Sequence, residues 1–529
     1  MKGATNGCDR LWYSVVSDIN FSLKMILSRA RLFGTALNGS EMGSCSDDIE
    51  SARGARADTC AWNNKARCQF LRALRLIYLD SIDLTMVSAN KSSINPRRFI
   101  HSSGQALADQ YYHIYNARLK CAREALIRSA KFRWGDEVNN VPLEQLNASL
   151  GSKDVFVIGT IFKSMPKQPS ILREIEGNDS LTRESETADV NFTTPEDTLV
   201  LHETDENVQV VGDIDADQHV TGIPVALLGH QLNDGAKFHV VDVCYAGPSL
   251  DVYRDEGGDR FVDQPSSYLV IVSGFEFGFD SKLSKEETLK VINGLKKFRD
   301  FIHKQSDDLS EYKNLTKVIV AGNSIGPGYT KAQMDLLGPT EDKDIGSLNR
   351  VVQLFDRYLN DLAQAGVDIT LMPGKNDPTS FLLPQQPFHP KLLPLSGRLE
   401  SIHPDTNPSL MELDGRIILG TSGENIEAIK QHSKIEYSTT ILKNTLEWGH
   451  VAPSAPDNLS CLPFKDEDPF IIDFVPDVYF AGNQPEFTVT TYSCSSKPKV
   501  QLVSVPSFVK TQSCVLIDLK NLDCELINF

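Results

Sequence analysis

The chain has no CxxC pair, and its ten cysteines fall into no even framework of spacings. That speaks against a zinc ribbon or a disulfide-stapled secreted scaffold, and it fits thiols kept reduced in the cytosol or nucleus. No apolar run approaches the eighteen or so residues that cross a membrane. An excess of positive charge is missing too: 53 Lys and Arg stand against 70 Asp and Glu, a formal net charge of -17. A protein that grips nucleic acid by itself usually carries a basic face, so this balance disfavours autonomous DNA binding. Phosphate-loop chemistry is absent, since Gly326-Pro327-Gly328 is not followed by Lys-Ser/Thr. Thr421-Ser422-Gly423 approaches a nucleophile turn without completing G-x-S-x-G. No internal repeat is visible. What remains is an ordinary composition, 41% hydrophobic and 23% charged, over 529 residues, enough for two to four domains.

Residues 1–95 read poorly. Leu11 to Phe33 is amphipathic and compatible with a helix, but Asp9 and Asp18 argue against a transit peptide. Gly39 to Thr59 is poor in apolar residues and reads as linker. The whole stretch reads as an extension dispensable for folding. Residues 96–140 form a helical lead-in, with Leu107, Tyr111, Ile114, Tyr115, Leu119, Ala122 and Leu126 at helical spacing as a packing face.

From 141 to 250 the pattern changes to short strands. Asp154–Phe162, Asp197–Glu203, Val208–Ile214, Thr221–Leu232 and Lys237–Gly247 follow one another, with a hairpin signal at Asn233-Asp234-Gly235. Five such strands suggest a small barrel of the OB type. Barrels of this type often hold single strands in a cationic, aromatic groove. Here Glu174 to Asp217 carries fourteen Asp and Glu against the single Arg183, with Phe192 the only aromatic. The barrel therefore reads as a structural or protein-docking module.

Residues 251–529 alternate between strand and helix, which implies a mostly parallel core sheet. Strands are expected at Ser267–Gly278, Lys317–Gly326 and Val367–Met372. Between them lie a helix from Ser284 to Lys304 opened by a Ser284/Glu287 capping box, and one from Ser347 to Ala365. The second of these presents Val351, Leu354, Phe355, Tyr358 and Leu362 and stops at Gly366. A long Pro-rich loop, Leu371 to Pro394, follows; Lys375, Gln385 and Lys391 read as its exposed positions. Then come a hairpin at Asp414-Gly415, two helices between Glu424 and Trp448, and three strands, VYFAGN, VQLVSVP and CVLIDL.

In an open α/β sheet the loops at the carboxyl ends of the strands carry the chemistry. A binuclear phosphoesterase of the calcineurin type needs Asp and His ligands there to hold two metals and generate hydroxide. The strand ends here keep that outline without the ligands. Ser273 and Phe275 stand where Asp and His would be, Asn323 replaces an Asp, and Lys375 and Asn376 replace Asn and His. Asn483 and Pro485 replace two His, and only Asp377 survives. One carboxylate does not hold two metals. No residue is assigned a catalytic, cofactor-binding or metal-ligating role, and no cofactor is expected. His389, His403 and His450 read as surface or packing histidines, and Asp466 to Asp468 as a solvated face.

An OB-like barrel followed by a ligand-stripped phosphoesterase sheet resembles the B-subunit family of replicative DNA polymerases. VIGTIFKSMPKQPSILREI, LMPGKNDPTSFLLPQQPFHPKLLP, GTSGENI, HVAPSAPDNLSCLPF and DPFIIDFVPDVYFAGN narrow the likeness to the small subunits of DNA polymerase delta. The resemblance covers Pro96 to Phe529. It implies an α/β plus β-barrel chain that is not an enzyme: a nuclear scaffold in DNA replication and repair synthesis. Its implied partners are the cysteine-rich C-terminal domain of the catalytic subunit and the third subunit, with the sliding clamp engaged indirectly. The apolar runs and the charge balance add the expectation of no membrane and no strong DNA binding alone. The competing readings are a metal-dependent phosphodiesterase or nuclease, and the small subunit of polymerase alpha or epsilon.

Overall fold

A computed structural model describes residues 95–529 except 102–105, 147–153, 169–190, 205, 233–236, 248–265, 279–283, 306–311, 313, 327–342 and 494–498. The expected helix at Leu11–Phe33, the linker, the Asn233-Asp234-Gly235 turn and part of the acidic run lie outside the described residues.

Helix α1 spans Tyr112–Trp134 and buries Ile114, Ala117, Leu119, Ala122, Leu126 and Ala130, a stripe spaced mostly by three or four residues. It starts later than its sequence pattern: Leu107 and Tyr111 precede it and are 42% and 41% exposed. The stripe rests on one outer face of a closed barrel through Phe156, Ile158, Ala226 and Cys244. The barrel strands are β1 (Val155–Ser164), β2 (Thr198–Glu203), β3 (Glu206–Gly212), β4 (Pro224–Gln231) and β5 (Lys237–Tyr245). They close in the order β1-β2-β3-β5-β4, with β3 and β5 parallel and the other pairs antiparallel. Alternation sends Val155, Val157, Ile161, Leu199, Leu201, Val225, Leu227 and Phe238 into a common core, while Phe156 and Ile158 meet α1.

The remainder contains two sheets, where the sequence suggested one mostly parallel sheet. Strands β6 (Tyr268–Val272), β7 (Leu315–Ala321), β8 (Asp368–Met372) and β9 (Ile402–Pro404) are parallel neighbours. The C-terminal strands β15 (Ser513–Asp518) and β16 (Cys524–Asn528) extend that sheet antiparallel, giving the order β16-β15-β6-β7-β8-β9. A second sheet has the order β10-β11-β12-β14-β13, from β10 (Ser409–Leu413), β11 (Arg416–Thr421), β12 (Val478–Gln484), β13 (Thr488–Tyr492) and β14 (Val500–Pro506). Its three inner strands are parallel and its two edges antiparallel.

The inner strands bury both faces, and the alternation assigns each residue a layer. Leu269 and Ile271 meet Ile418, Phe480 and Val503 between the sheets. Val270 and Val272 point the other way, onto α2 (Lys285–Lys304) and α3 (Lys343–Ala363), where Phe298 and Phe355 are wholly buried. Helices α4 (Glu424–His432) and α5 (Ser438–Trp448) cover the outer face of the five-stranded sheet. Their residues Ile426, Ile429, Leu442 and Leu446 belong to one buried cluster with the barrel interior. Barrel and body therefore share a core.

Local signals set the element ends. Ser284 Oγ accepts the Glu287 N–H while the Glu287 carboxylate accepts the Ser284 N–H, the capping box read from the sequence. Asp414 and Gly415 both take positive φ, as a two-residue hairpin needs. Gly366, with φ 77°, closes the turn that follows the end of α3 at Ala363. Leu354 of α3 departs from expectation: it is 47% exposed, while Leu359, just over one turn on, is wholly buried. The expected face is rotated toward the side on which Phe355, Leu359 and Leu362 meet the sheet.

Candidate functional site

The carboxyl ends of β6, β7, β8, β11 and β12 come together in one rim, where Ser273, Asn323, Asp377 and Asn483, which the sequence reading set at ligand positions, lie close together. Ser273, after β6, is buried; its Oγ donates to Pro506 O (3.1 Å) and accepts the Asn483 N–H (2.8 Å). Phe275 turns away into the helix layer, its ring 5.4 Å from Phe508 and 5.6 Å from Tyr358. Asn323, after β7, takes φ 52° and accepts the Asn376 N–H through Oδ1. Asn483, near the end of β12, donates through Nδ2 to Ser422 O (2.8 Å) and Ala321 O (3.2 Å). Pro485 is exposed. The loops interlock closely: a Cβ on Gly374 would fall 2.5 Å from Asn323 N, so only glycine fits.

Asp377 is buried, and both its oxygens are engaged. Oδ1 accepts the Ile325 N–H (2.9 Å) and Oδ2 the Gly374 N–H (2.8 Å), which ties the loop after β8 to the loop after β7. Burial raises its pKa to about 7 against the opposing pull of these N–H groups. A carboxylate with both oxygens committed to backbone donors serves as a loop clamp.

Beside it lies a neutral network that the sequence reading missed. Gln385 and Asn407 exchange backbone hydrogen bonds (2.8 and 3.1 Å), and Asn407 Nδ2 donates to Gln385 Oε1 (2.8 Å) and Ser422 Oγ (2.7 Å). Asn407 Oδ1 accepts the Ser422 N–H, and Gln385 Nε2 reaches Gly374 O. Gln385 is 2% exposed, which corrects its reading as a surface position of the Pro-rich loop. Lys375 and Lys391 are exposed as expected. Leu383 and Phe388 of the same loop are buried in two different cores. The amides carry no local sequence signal, because their partners lie 11 to 61 residues away or more.

Glu424, at the first turn of α4, faces a cleft of about 170 Å³ lined by Lys375, Phe381, Glu427, Gln431 and Leu459. Its Oε1 accepts from Ser422 Oγ at 3.2 Å. It keeps some exposed surface, yet enclosure raises its carboxyl to about 7 while Lys375 pulls it down. Lys375 Nζ is itself 3.6 Å from Glu427. Among the described residues no group of three or more His, Cys, Asp and Glu could hold a metal ion.

A second polar node joins α1, the barrel and the segment after α5. Arg118 is wholly buried; Nε donates to Asp468 (2.7 Å), and its terminal nitrogens donate to Gly222, Pro453 and Ala455 carbonyls (2.8–2.9 Å). His450 Nδ1 accepts the Ala452 N–H, so Nε2–H donates to the same Asp468 oxygen (2.9 Å). Burial, reinforced by the Arg118 charge, holds His450 neutral with its pKa lowered to about 4. Burial opposes the Asp468 charge, but His450 and Arg118 outweigh it and hold the carboxyl well below the usual range. Asp468 is thus a core anion, which corrects its reading as part of a solvated face. His450 is a packing histidine as expected, and His389 and His403 are exposed.

Two family models match successive parts of the chain. Residues 110–243 match the OB-fold domain of the DNA polymerase delta subunit, and residues 269–489 match the B subunit of DNA polymerases alpha and epsilon. The class is therefore that of polymerase B subunits, an OB barrel followed by the two-sheet body. Similarity over about four fifths of the chain then points to one branch. The chain is 32% identical over 430 residues to DNA polymerase delta subunit 2 of Drosophila melanogaster, covering 80% of this chain and 94% of that one. It is 33% identical over 426 residues to the DNA polymerase delta small subunit of Arabidopsis thaliana, covering 79% and 91%. With the corresponding Saccharomyces cerevisiae protein it shares 28% over 466 residues, covering 79% and 89%. The chain belongs to the family of DNA polymerase delta small subunits.

Proposed function

We propose that the chain is a non-catalytic accessory subunit of DNA polymerase delta. In this reading it is a nuclear scaffold that bridges the cysteine-rich C-terminal domain of the catalytic subunit and the third subunit, which in turn helps engage the sliding clamp. Residues 96–140 form its lead-in, 141–250 its barrel, and 251–529 a calcineurin-like phosphoesterase body that has lost its metal ligands. The observation that carries the reading is the state of the one surviving ligand-type residue: Asp377 has both oxygens on backbone N–H groups. Around it, Ser273, Asn323 and Asn483 hold the strand ends together as hydrogen-bonding partners of one another's loops. Two hard cations a few ångströms apart need several anionic ligands, and among the described residues no such group is gathered at this rim.

Capture experiments with the purified chain test the scaffold role. The catalytic subunit's C-terminal domain and the third subunit should each bind separately, and the three should co-elute. The same preparation should show no manganese-stimulated phosphodiesterase or exonuclease activity. Activity that survives repurification and disappears in Asp377→Ala would overturn the non-catalytic reading. In keeping with the net charge of -17, the full chain should bind single-stranded DNA no more tightly than about the micromolar range of non-specific contacts.

A further inference from the structure

The cleft beside the rim, at about 170 Å³, is well under the roughly 300–1,000 Å³ of small-molecule sites. Its volume suits a single long side chain. Its chemistry is unbalanced in one direction. Of the two carboxylates in its wall, Glu427 has Lys375 at 3.6 Å. Glu424 has one hydrogen bond, from Ser422 Oγ at 3.2 Å, and no ion pair among the described residues. Lys375 acts on Glu424 only at a distance, being paired with Glu427, so a cation arriving from outside to pair directly relieves the cost of the enclosed carboxylate. The same cleft is lined by Phe381, an aromatic side chain left 63% exposed, and by Leu459. An anion, an aromatic ring and an aliphatic wall in one side-chain-sized cleft complement a guanidinium, which pairs with a carboxylate and stacks on a ring.

We infer that this cleft receives an arginine side chain from a partner polypeptide, its guanidinium on Glu424 and its plane against Phe381. The inference rests on the scaffold reading above and adds the chemistry of one docking point on the former active-site rim. Glu424 faces Lys375, Glu427 and Asp377 as charged or titratable neighbours and Ser422 as its hydrogen-bond donor. Its carboxyl titrates at about 7 in the free chain, and an incoming cation binds the ionised form. Affinity therefore rises with pH, by about tenfold from pH 6 to pH 8.

The test measures the affinity of the full chain for the catalytic subunit's C-terminal domain and for the third subunit, at both pH values. Wild type is compared with Glu424→Gln, which keeps an oxygen for Ser422, and with Phe381→Ala. Thermal melting of each variant establishes that it is folded. The inference expects one partner to bind at least tenfold more weakly to Glu424→Gln at pH 8 and several-fold more weakly to Phe381→Ala, with the other partner unaffected. It also expects the pH dependence for that partner to vanish in Glu424→Gln. Folded variants that bind both partners as wild type does, or a pH profile that Glu424→Gln leaves unchanged, would overturn it and leave the scaffold reading intact. Failure of wild type to bind either partner would sink the scaffold reading and the inference together.

Discussion

Beneath the strand ends, polar groups meet mainly as amides and hydroxyls, whereas at the junction of α1 with the barrel they meet as full charges. Gln385, Asn407, Ser422 and Asn483 hold the rim through neutral hydrogen bonds, with Asp377 as a carboxylate on backbone donors. Arg118, Asp468 and His450 hold the junction with a buried ion pair and a neutral imidazole. At the rim the amides and hydroxyls pair with one another and with backbone groups, so this network holds the loops without an ion pair of its own. The junction joins three segments distant in sequence: Arg118 and Asp468 are 350 residues apart. There a guanidinium offers enough donors to satisfy Asp468 and three carbonyls at once.

The sharpest way to break this comparison is at the charged node. Arg118→Met should cost about 3–5 kcal/mol in unfolding free energy, because it leaves the Asp468 carboxylate buried with only His450 and a backbone N–H. Denaturant unfolding of the variant measures this, and a loss under about 1 kcal/mol would mean the junction does not depend on the pair.

The rim should respond less. Asn407→Ala removes the donor to Gln385 Oε1 and the acceptor for the Ser422 N–H. The expected loss is about 1–3 kcal/mol, since the groups left behind are buried but uncharged. A loss equal to that of Arg118→Met in the same denaturation assay would erase the distinction between the two nodes.

The smallest effect is a difference in sign with pH. His450 has its pKa lowered in the folded state, to about 4. Its contribution is present above the unfolded value of roughly 6.5 and is lost as pH falls toward 4. Glu424 has its pKa raised, to about 7. Its contribution is present below the unfolded value of roughly 4.3 and is lost as pH rises through 7. Glu424→Gln should therefore be more stable than wild type at pH 8 and gain nothing at pH 4.5. The gain should stay below about 1 kcal/mol, because water reaches the cleft. Melting curves at the two pH values decide it, and a variant less stable than wild type at pH 8 would reverse the assignment.

Local chemistry in the sequence determined much of this protein: the five barrel strands, the Ser284/Glu287 capping box, the Asp414-Gly415 hairpin and the stop at Gly366. These depend on backbone preferences and hydrogen bonds that reach only a few residues along the chain. That Ser273, Asn323, Asp377 and Asn483 lie at or beyond strand ends was legible for the same reason, since each closes a short motif after an apolar run. Tertiary structure alone decided how the strands of the body divide into two sheets, because both sheets draw on equally apolar, doubly buried strands. It alone decided that Asp468 is a core anion and Gln385 a buried amide, since burial depends on which distant partner arrives. The rotation that exposes Leu354 was likewise set by the sheet beneath α3, because helical periodicity defines a stripe but not the surface that the stripe will meet.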